Sequence, residues 1–413
     1  MSALSSGRLT HERAGAAAFD SFLPTRVHPE PMDDIPSRVY CGKFSPDGGL
    51  FVAAYQARRI RVYDSTTLGT WPLVKDVEAR LLQWTITDAH ISPDGQRLLY
   101  TSINPVVHVV PLGGDALSIA NITEVHEALD FTPGASAVPP AGRRPNWTFG
   151  IWSCKWSPDG REMAAGTSGP NVLFLDVERR ETVAKTEEHG DDVNALCYNA
   201  APGEEGQDGN VVVSASDDTL LRIFDRRTLD ASGRGAPVGF FAGHTDGLTS
   251  VSPRGDGFHF VSNSKDQTAK LWDIRAAVNT AHPSSLVFAP ITWDYRWEDY
   301  PTFARGVRHP KDGSLLTFSG HNVLRTLIRA YFSPQHSTGR RYVYTGDALG
   351  NVFIYDVLTG AVKEEIEVHA DTVRDLDWHP HRMMIASVGF DGRIARIEGG
   401  RGSAGARFAA EDA

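Results

Sequence analysis

"SASDDTLLRIFDRR" runs from Ser214 to Arg227, and "SNSKDQTAKLWDIR" runs from Ser262 to Arg275, 48 residues further on. In both, Asp follows Ser by four residues (Asp218, Asp266) and an aromatic follows Asp by six (Phe224, Trp272). Each stretch is preceded by a histidine, His189 and His244, and the set returns as His369, Ser387 and Asp391. A nucleophile with its base requires one unique assembly in one pocket. A triplet that recurs along the chain instead points to a hydrogen-bond network tying a loop to two strands, because buried polar groups must find partners.

Recurrence extends along most of the 413 residues. "SPDG" occurs at Ser45, Ser92 and Ser157, each time after an apolar residue (Phe44, Ile91, Trp156), with weaker copies at Ser252-Pro253, Ser333-Pro334 and His379-Pro380. Pro fixes φ at the first turn position, Asp bonds back to its own backbone, and Gly takes the left-handed conformation, so the tetrapeptide is a hairpin turn. Alternating runs then end at Asp64, Val110, Asp176, Asp225, Asp273, Asp356 and Ile397. These are seven units, and two of the gaps are long. Once insertions at about 111–149 and 276–314 are removed, the period approaches the roughly 40–45 residues of a four-stranded propeller blade. The expected fold is all-β: a seven-bladed propeller of four-stranded antiparallel blades over 37–397, with a flexible tail at 398–413. The partly disordered segment 1–36 precedes it. A ring must close, and the strand that closes it comes from Phe22 to His28 or from residues after Gly399.

Composition narrows the function. A net charge of −10 argues against a general binder of nucleic acid, which presents a basic face to phosphates. The N-terminus lacks the apolar core of a signal peptide, and no eighteen apolar residues run together, so no membrane segment is expected. Cys41, Cys154 and Cys197 are widely spaced and sit in apolar runs, which suits small core residues rather than disulfides or zinc ligands. The sequons at Asn121 and Asn146 then read as chance matches. An intracellular protein of the nucleus, the cytoplasm or both is expected, with no metal, cofactor or catalytic residue. No Gly-x-Ser-x-Gly elbow appears either.

The two opening stretches, together with "GHTDG" at Gly243–Gly247, resemble the WD40 repeat. Over a longer range, "SRVYCGKFSPDG", "WDYRWEDYP", "GHNVLRTLIRAYFSPQHSTG" and "HADTVRDLDWHP" resemble the DDB and cullin-4 associated factor 11 family, also called WD repeat protein 23. The likeness covers about Ser37 to Ile397. It implies a non-catalytic substrate receptor of a cullin-4 RING ubiquitin ligase. One face would dock on the ligase adaptor, of the damage-specific DNA-binding protein 1 type, and another would present an unknown protein target. The alternative is a WD40 scaffold in another assembly, of RNA processing or chromatin.

Within that resemblance, Asp225 with Arg227 and Asp273 with Arg275 match the adaptor-docking motif, on adjacent blades at one rim. Read from the residues alone, each Arg is an exposed planar fork suited to an interface or the partner of a local salt bridge. A short helix in "HERAGAAAF" would add an anchor. The opposite face is expected to carry Gln56, Asp217, Lys265 and Phe390 in equivalent turns, with Phe390 the most telling as an apolar residue at an exposed turn. Trp293, Tyr295 and Trp297 alternate with charge, so an extended run would have one greasy face. That face packs the insertion onto the propeller's flank or forms a partner hot spot.

Overall fold

The hairpin turns form as their residues require. At the first, Ser45 Oγ donates to Asp47 Oδ1 at 2.5 Å, the Gly48 amide donates to the Ser45 carbonyl at 2.8 Å, and Gly48 sits at φ +74. Gly95 and Gly160 repeat the geometry at φ +70. The chain, in a computed structural model that describes residues 22–28, 33–67, 69–112, 126–132, 149–200, 209–280, 282–288 and 291–399, winds seven antiparallel sheets around one axis. It is a seven-bladed β-propeller. The innermost strands are Val39–Phe44, Ala89–Ile91, Ile151–Trp156, Val193–Tyr198, Leu248–Pro253, Ala330–Phe332 and Val373–Trp378. Successive innermost strands neighbour one another around the axis.

Closure uses the N-terminal side. Pro24–Val27 pairs antiparallel with Arg393–Gly399, bringing Val27 opposite Ile397, and forms the outermost strand of the seventh blade. Asp33–Asp34 adds a further pairing to the same strand. Residues 400–413 and the "HERAGAAAF" segment lie outside the described residues, as do both sequons.

One detail differs from the sequence-based expectation. Glu127–Asp130, inside the stretch assigned to the first insertion, is the outermost strand of the second blade, paired with Val106–Val109. Its short "EALD" run carries too little alternation to declare itself. The second insertion falls between the third and fourth strands of the fifth blade, Thr268–Asp273 and Leu316–Ser319.

The core lies between blades rather than inside a single layer. Val213, Leu221, Ile223 and Phe241 of the fourth blade pack against Phe260 and Trp272 of the fifth. Strands covered on both faces lose the strict polar alternation of a half-buried sheet. All three cysteines are buried and free, and burial pushes the Cys197 thiol up to about 12.

Candidate functional site

The His, Ser and Asp of each triplet do meet. In the fifth blade Trp272 Nε1 donates to Ser262 Oγ at 2.8 Å, Ser262 Oγ lies 2.7 Å from His244 Nε2, and His244 Nδ1 lies 2.8 Å from Asp266. Since indole N–H can only donate, the Ser262 proton goes to Nε2 and the His244 proton to the carboxylate. Asp266 also accepts from the amides of Thr245 and Thr268. Burial works against its ionisation, but His244 and these donors hold its carboxyl below the usual range. The fourth blade repeats the set, with His189 at 2.6 Å from Ser214 and 3.1 Å from Asp218. So does the seventh, with His369 at 2.9 Å from Ser387 and 3.0 Å from Asp391. Ser214, Ser262 and Ser387 are all buried. A buried hydroxyl that recurs in three blades, one of them receiving an indole proton, has no substrate to attack.

The rim at the end of the third strands is different. Asp225 caps the turn Arg226–Thr228 and Asp273 caps Ile274–Ala276, each accepting from the amide two residues on. The side chains of Arg227 and Arg275 then fork back onto the same carboxylates. Nε and Nη2 reach Asp225 at 2.9 and 2.7 Å, and Asp273 at 2.9 and 2.7 Å. The hydrogen bond from Arg275 lowers the Asp273 carboxyl to about 2. Yet the two Arg side chains remain 65% and 63% exposed. The local salt bridge and the exposure therefore coexist: Asp fixes the rotamer, the Arg275 guanidinium also lies over the Phe258 ring at 4.7 Å, and both side chains keep most of their surface in solvent. Arg226 shows the contrast, because it turns inward to Glu162 of the third blade at 2.8 Å.

On the opposite face, Asp217, Lys265 and Phe390 border a bowl of about 970 Å³, and Gln56 lies outside its wall. Lys265 Nζ is 2.6 Å from Asp217 Oδ1 and 4.3 Å from the Tyr295 ring centroid. Burial alone would lower the Lys265 ammonium, but Asp217 and Tyr295 hold it above its ordinary value. Phe390 is not an exposed apolar tip. It is 9% accessible, with Tyr40 at 5.1 Å on one side and the Arg38 guanidinium 4.7 Å from its centroid.

The aromatic run is likewise a correction. Residues 294–298 form a turn, with the amides of Trp297 and Glu298 donating to the Asp294 carbonyl, so the three rings share no face. Trp293 Nε1 donates to Asp246 at 2.6 Å, Tyr295 covers Lys265, and Trp297 points outward at 85% exposure. All three border the bowl, so the segment lies across the mouth of the channel instead of against the flank.

Sequence reasoning missed two features here. Trp84, in the connection from first to second blade, stands 64% exposed on the bowl at φ +65, with Leu81 at φ +49 in the same connection. A bulky residue at positive φ is a strained one. A lone Trp between two repeats was the available signal. The second feature is an ion network across the axis. Arg329 of the sixth blade reaches Asp88 of the second at 2.8 Å and Asp375 of the seventh at 3.1 Å. Lys155 of the third blade donates to Asp88 at 2.6 Å, and Lys43 of the first lies 3.3 Å from Asp375. Below the network sits a second chamber of about 380 Å³, bordered by Pro46, Pro93, Pro158 and Pro253. These prolines mark the same end of the blades as Arg227 and Arg275. No single repeat carries a signal for it. Among the described residues no group of three or more His, Cys, Asp or Glu is placed to hold a metal ion, and no helix is long and apolar enough to cross a membrane.

Residues 180–225, 235–273 and 360–395 match the WD domain, G-beta repeat. The LEC14B protein of Lithospermum erythrorhizon is 42% identical over 368 residues, 89% of this chain and 74% of that protein. The DDB1- and CUL4-associated factor 11 homolog of Caenorhabditis elegans is 34% identical over 395 residues, 93% of this chain. The chain belongs to this WD40-repeat family. A LEC14B homolog of Prunus armeniaca is 40% identical over 385 residues, 93% of this chain and 77% of that protein. The chain spans 64% of the length of the nematode family member. Family membership and the propeller together point to a protein-interaction scaffold or receptor rather than an enzyme.

Proposed function

We propose that this protein is a non-catalytic substrate receptor of a cullin-4 RING ubiquitin ligase. Its rim at Arg227 and Arg275 docks on the adaptor, and its opposite bowl presents a target protein. The observation that carries this reading is the pair of exposed guanidinium forks on adjacent blades, each pre-set by its own Asp. A fork already held in one rotamer loses little entropy when a partner covers it. The names of the nematode relatives support the choice of partner. The exposed Trp84 and Trp297 at the bowl suit target binding, since tryptophan is enriched among interface hot spots.

The test is co-purification with a cullin-4 adaptor of the damage-specific DNA-binding protein 1 type, beside the double variant Arg227→Ala, Arg275→Ala checked for fold by circular dichroism. Binding by the parent and loss in the variant is the expected result. Equal binding would move the contact to another rim. No binding by the parent would leave a scaffold of another assembly as the better reading.

A further inference from the structure

The lower chamber differs in character from the bowl. Its walls include Trp156, Leu196, Tyr198 and Val251, while its inner end is charged. Four cations border it, Lys43, Lys155, Arg329 and Arg374, against one carboxylate, Asp377. The other carboxylates of the axial network, Asp88 and Asp375, are fully buried behind the wall. Two donors remain at that inner end. Lys155 Nζ makes one hydrogen bond among the described residues, to Asp88, out of the three an ammonium can donate. His90 also lines the chamber, and its Nδ1 accepts from the Trp156 amide at 3.1 Å, which places the proton of the neutral ring on Nε2. The cations are felt at the His90 ring. Burial, then Lys155, with Lys43 and Arg329 adding to it, brings His90 down to about 3, against the opposing pull of Asp88.

From this geometry we infer that the lower chamber is a binding site for a small amphipathic organic anion. Its carboxylate would rest against Lys155 and His90, and its apolar body would lie among Trp156, Leu196, Tyr198 and Val251. A cavity of about 380 Å³ lies within the range of roughly 300–1,000 Å³ typical of small-molecule sites, with apolar walls and few convergent polar groups. The inference stands apart from the receptor reading, because it needs neither adaptor nor target.

Calorimetric titration of the full chain with cinnamate, beside cinnamyl alcohol as the uncharged analogue of the same shape, is the experiment. Cinnamate should bind, and the alcohol about tenfold more weakly or worse, as expected for loss of a charge-assisted hydrogen bond. Lys155→Met should reduce cinnamate affinity to that of the alcohol, and Lys155→Arg should retain most of it. Ser252→Trp, in the chamber wall and remote from the ion network, should abolish binding of both while leaving the circular dichroism spectrum unchanged. If Lys155→Met does not fold, this wall variant decides. No cinnamate binding by the folded parent would overturn the inference. So would equal affinity for the alcohol, or cinnamate binding that persists in Ser252→Trp.

Discussion

Inside the fifth blade, the buried carboxylate of Asp266 is satisfied by its own repeat: His244, Thr245 and Thr268 all lie within 22 residues of it. On the axis, the equally buried Asp88 is satisfied by Lys155 from the third blade and by Arg329 from the sixth, 241 residues away. The division of labour follows the repeats. The triplets occur in the fourth, fifth and seventh blades. Lys43, Asp88, Lys155 and Arg329 come from the first, second, third and sixth, which have no triplet, and Asp375 of the seventh joins the two sets. Blades without the His–Ser–Asp triplet contribute charged residues to the channel, in addition to internal links such as Arg59 to Asp76 and Arg341 to Asp356.

Acid should have the largest effect on stability. Burial holds His108 and His321 at about 4 and His90 at about 3, against 6.5 for the free ring. A depressed histidine leaves the unfolded state binding more protons, so its stabilisation is full above 6.5 and is lost as pH falls toward the folded value. Over that window a shift to about 4 corresponds to roughly 3 kcal/mol per group. Carboxylates raised by burial, such as Asp192 and Asp246, act in the opposite sense as they take up protons. Urea midpoints measured from pH 7 to pH 4 should fall, and His108→Phe, stacked on Tyr100 as the imidazole is, should flatten the decline. If His108→Phe followed the same decline as the parent, the His108 ring would not be buried as a neutral group.

Removing the axial link comes next. Arg329→Met leaves Asp88 and Asp375 buried with one cation fewer each, and breaking a buried pair costs about 3–5 kcal/mol. Amide hydrogen exchange should rise in the first, second, sixth and seventh blades together. Trp272→Phe should cost only about 1–2 kcal/mol, for a lost buried hydrogen bond and some volume. Its faster exchange should stay in the fifth blade and the facing side of the fourth. It converts the fifth blade to the pattern the fourth already carries in Phe224. If both variants loosened the same blades, the proposed division between local and axial support would fail.

That division also explains what the sequence made legible. Triplets, turns and blade-ending aspartates repeat at near-constant spacing, and their partners lie inside one unit, so alignment of the chain with itself exposes them. The rim arginines share this property through Asp225 and Asp273. The axial network is harder to read: five residues before the turn proline the blades carry Asp88, Arg329 and Asp375, and three before it Lys43 and Lys155, but alignment of the repeats does not say which carboxylate meets which cation. The bowl was half legible: the turn positions of Asp217 and Lys265 follow from the register, but their pairing with each other does not. Phe390 and the Trp293–Trp297 segment were misjudged because exposure depends on what folds over a turn. Here Arg38 and a 42-residue crossing between Asp273 and Leu316 supply that cover, and spacing within a repeat carries no information about either.

The smallest effect expected on stability belongs to the residues of greatest functional weight. Arg227 and Arg275 each pair with a carboxylate two residues away on an exposed rim, and such solvent-screened pairs contribute little. Arg227→Ala with Arg275→Ala should therefore shift the urea midpoint very little, whereas Arg226→Ala should cost more, because it frees Glu162 across a blade boundary. A residue needed for the fold and one kept for a partner are distinguished by this pairing of measurements. If the double variant lost stability comparable to Trp272→Phe, the forks would belong to the scaffold, and loss of adaptor binding in that variant would no longer locate the docking face. Near-parental stability combined with lost binding would mean that the two guanidinium groups act on something outside the chain.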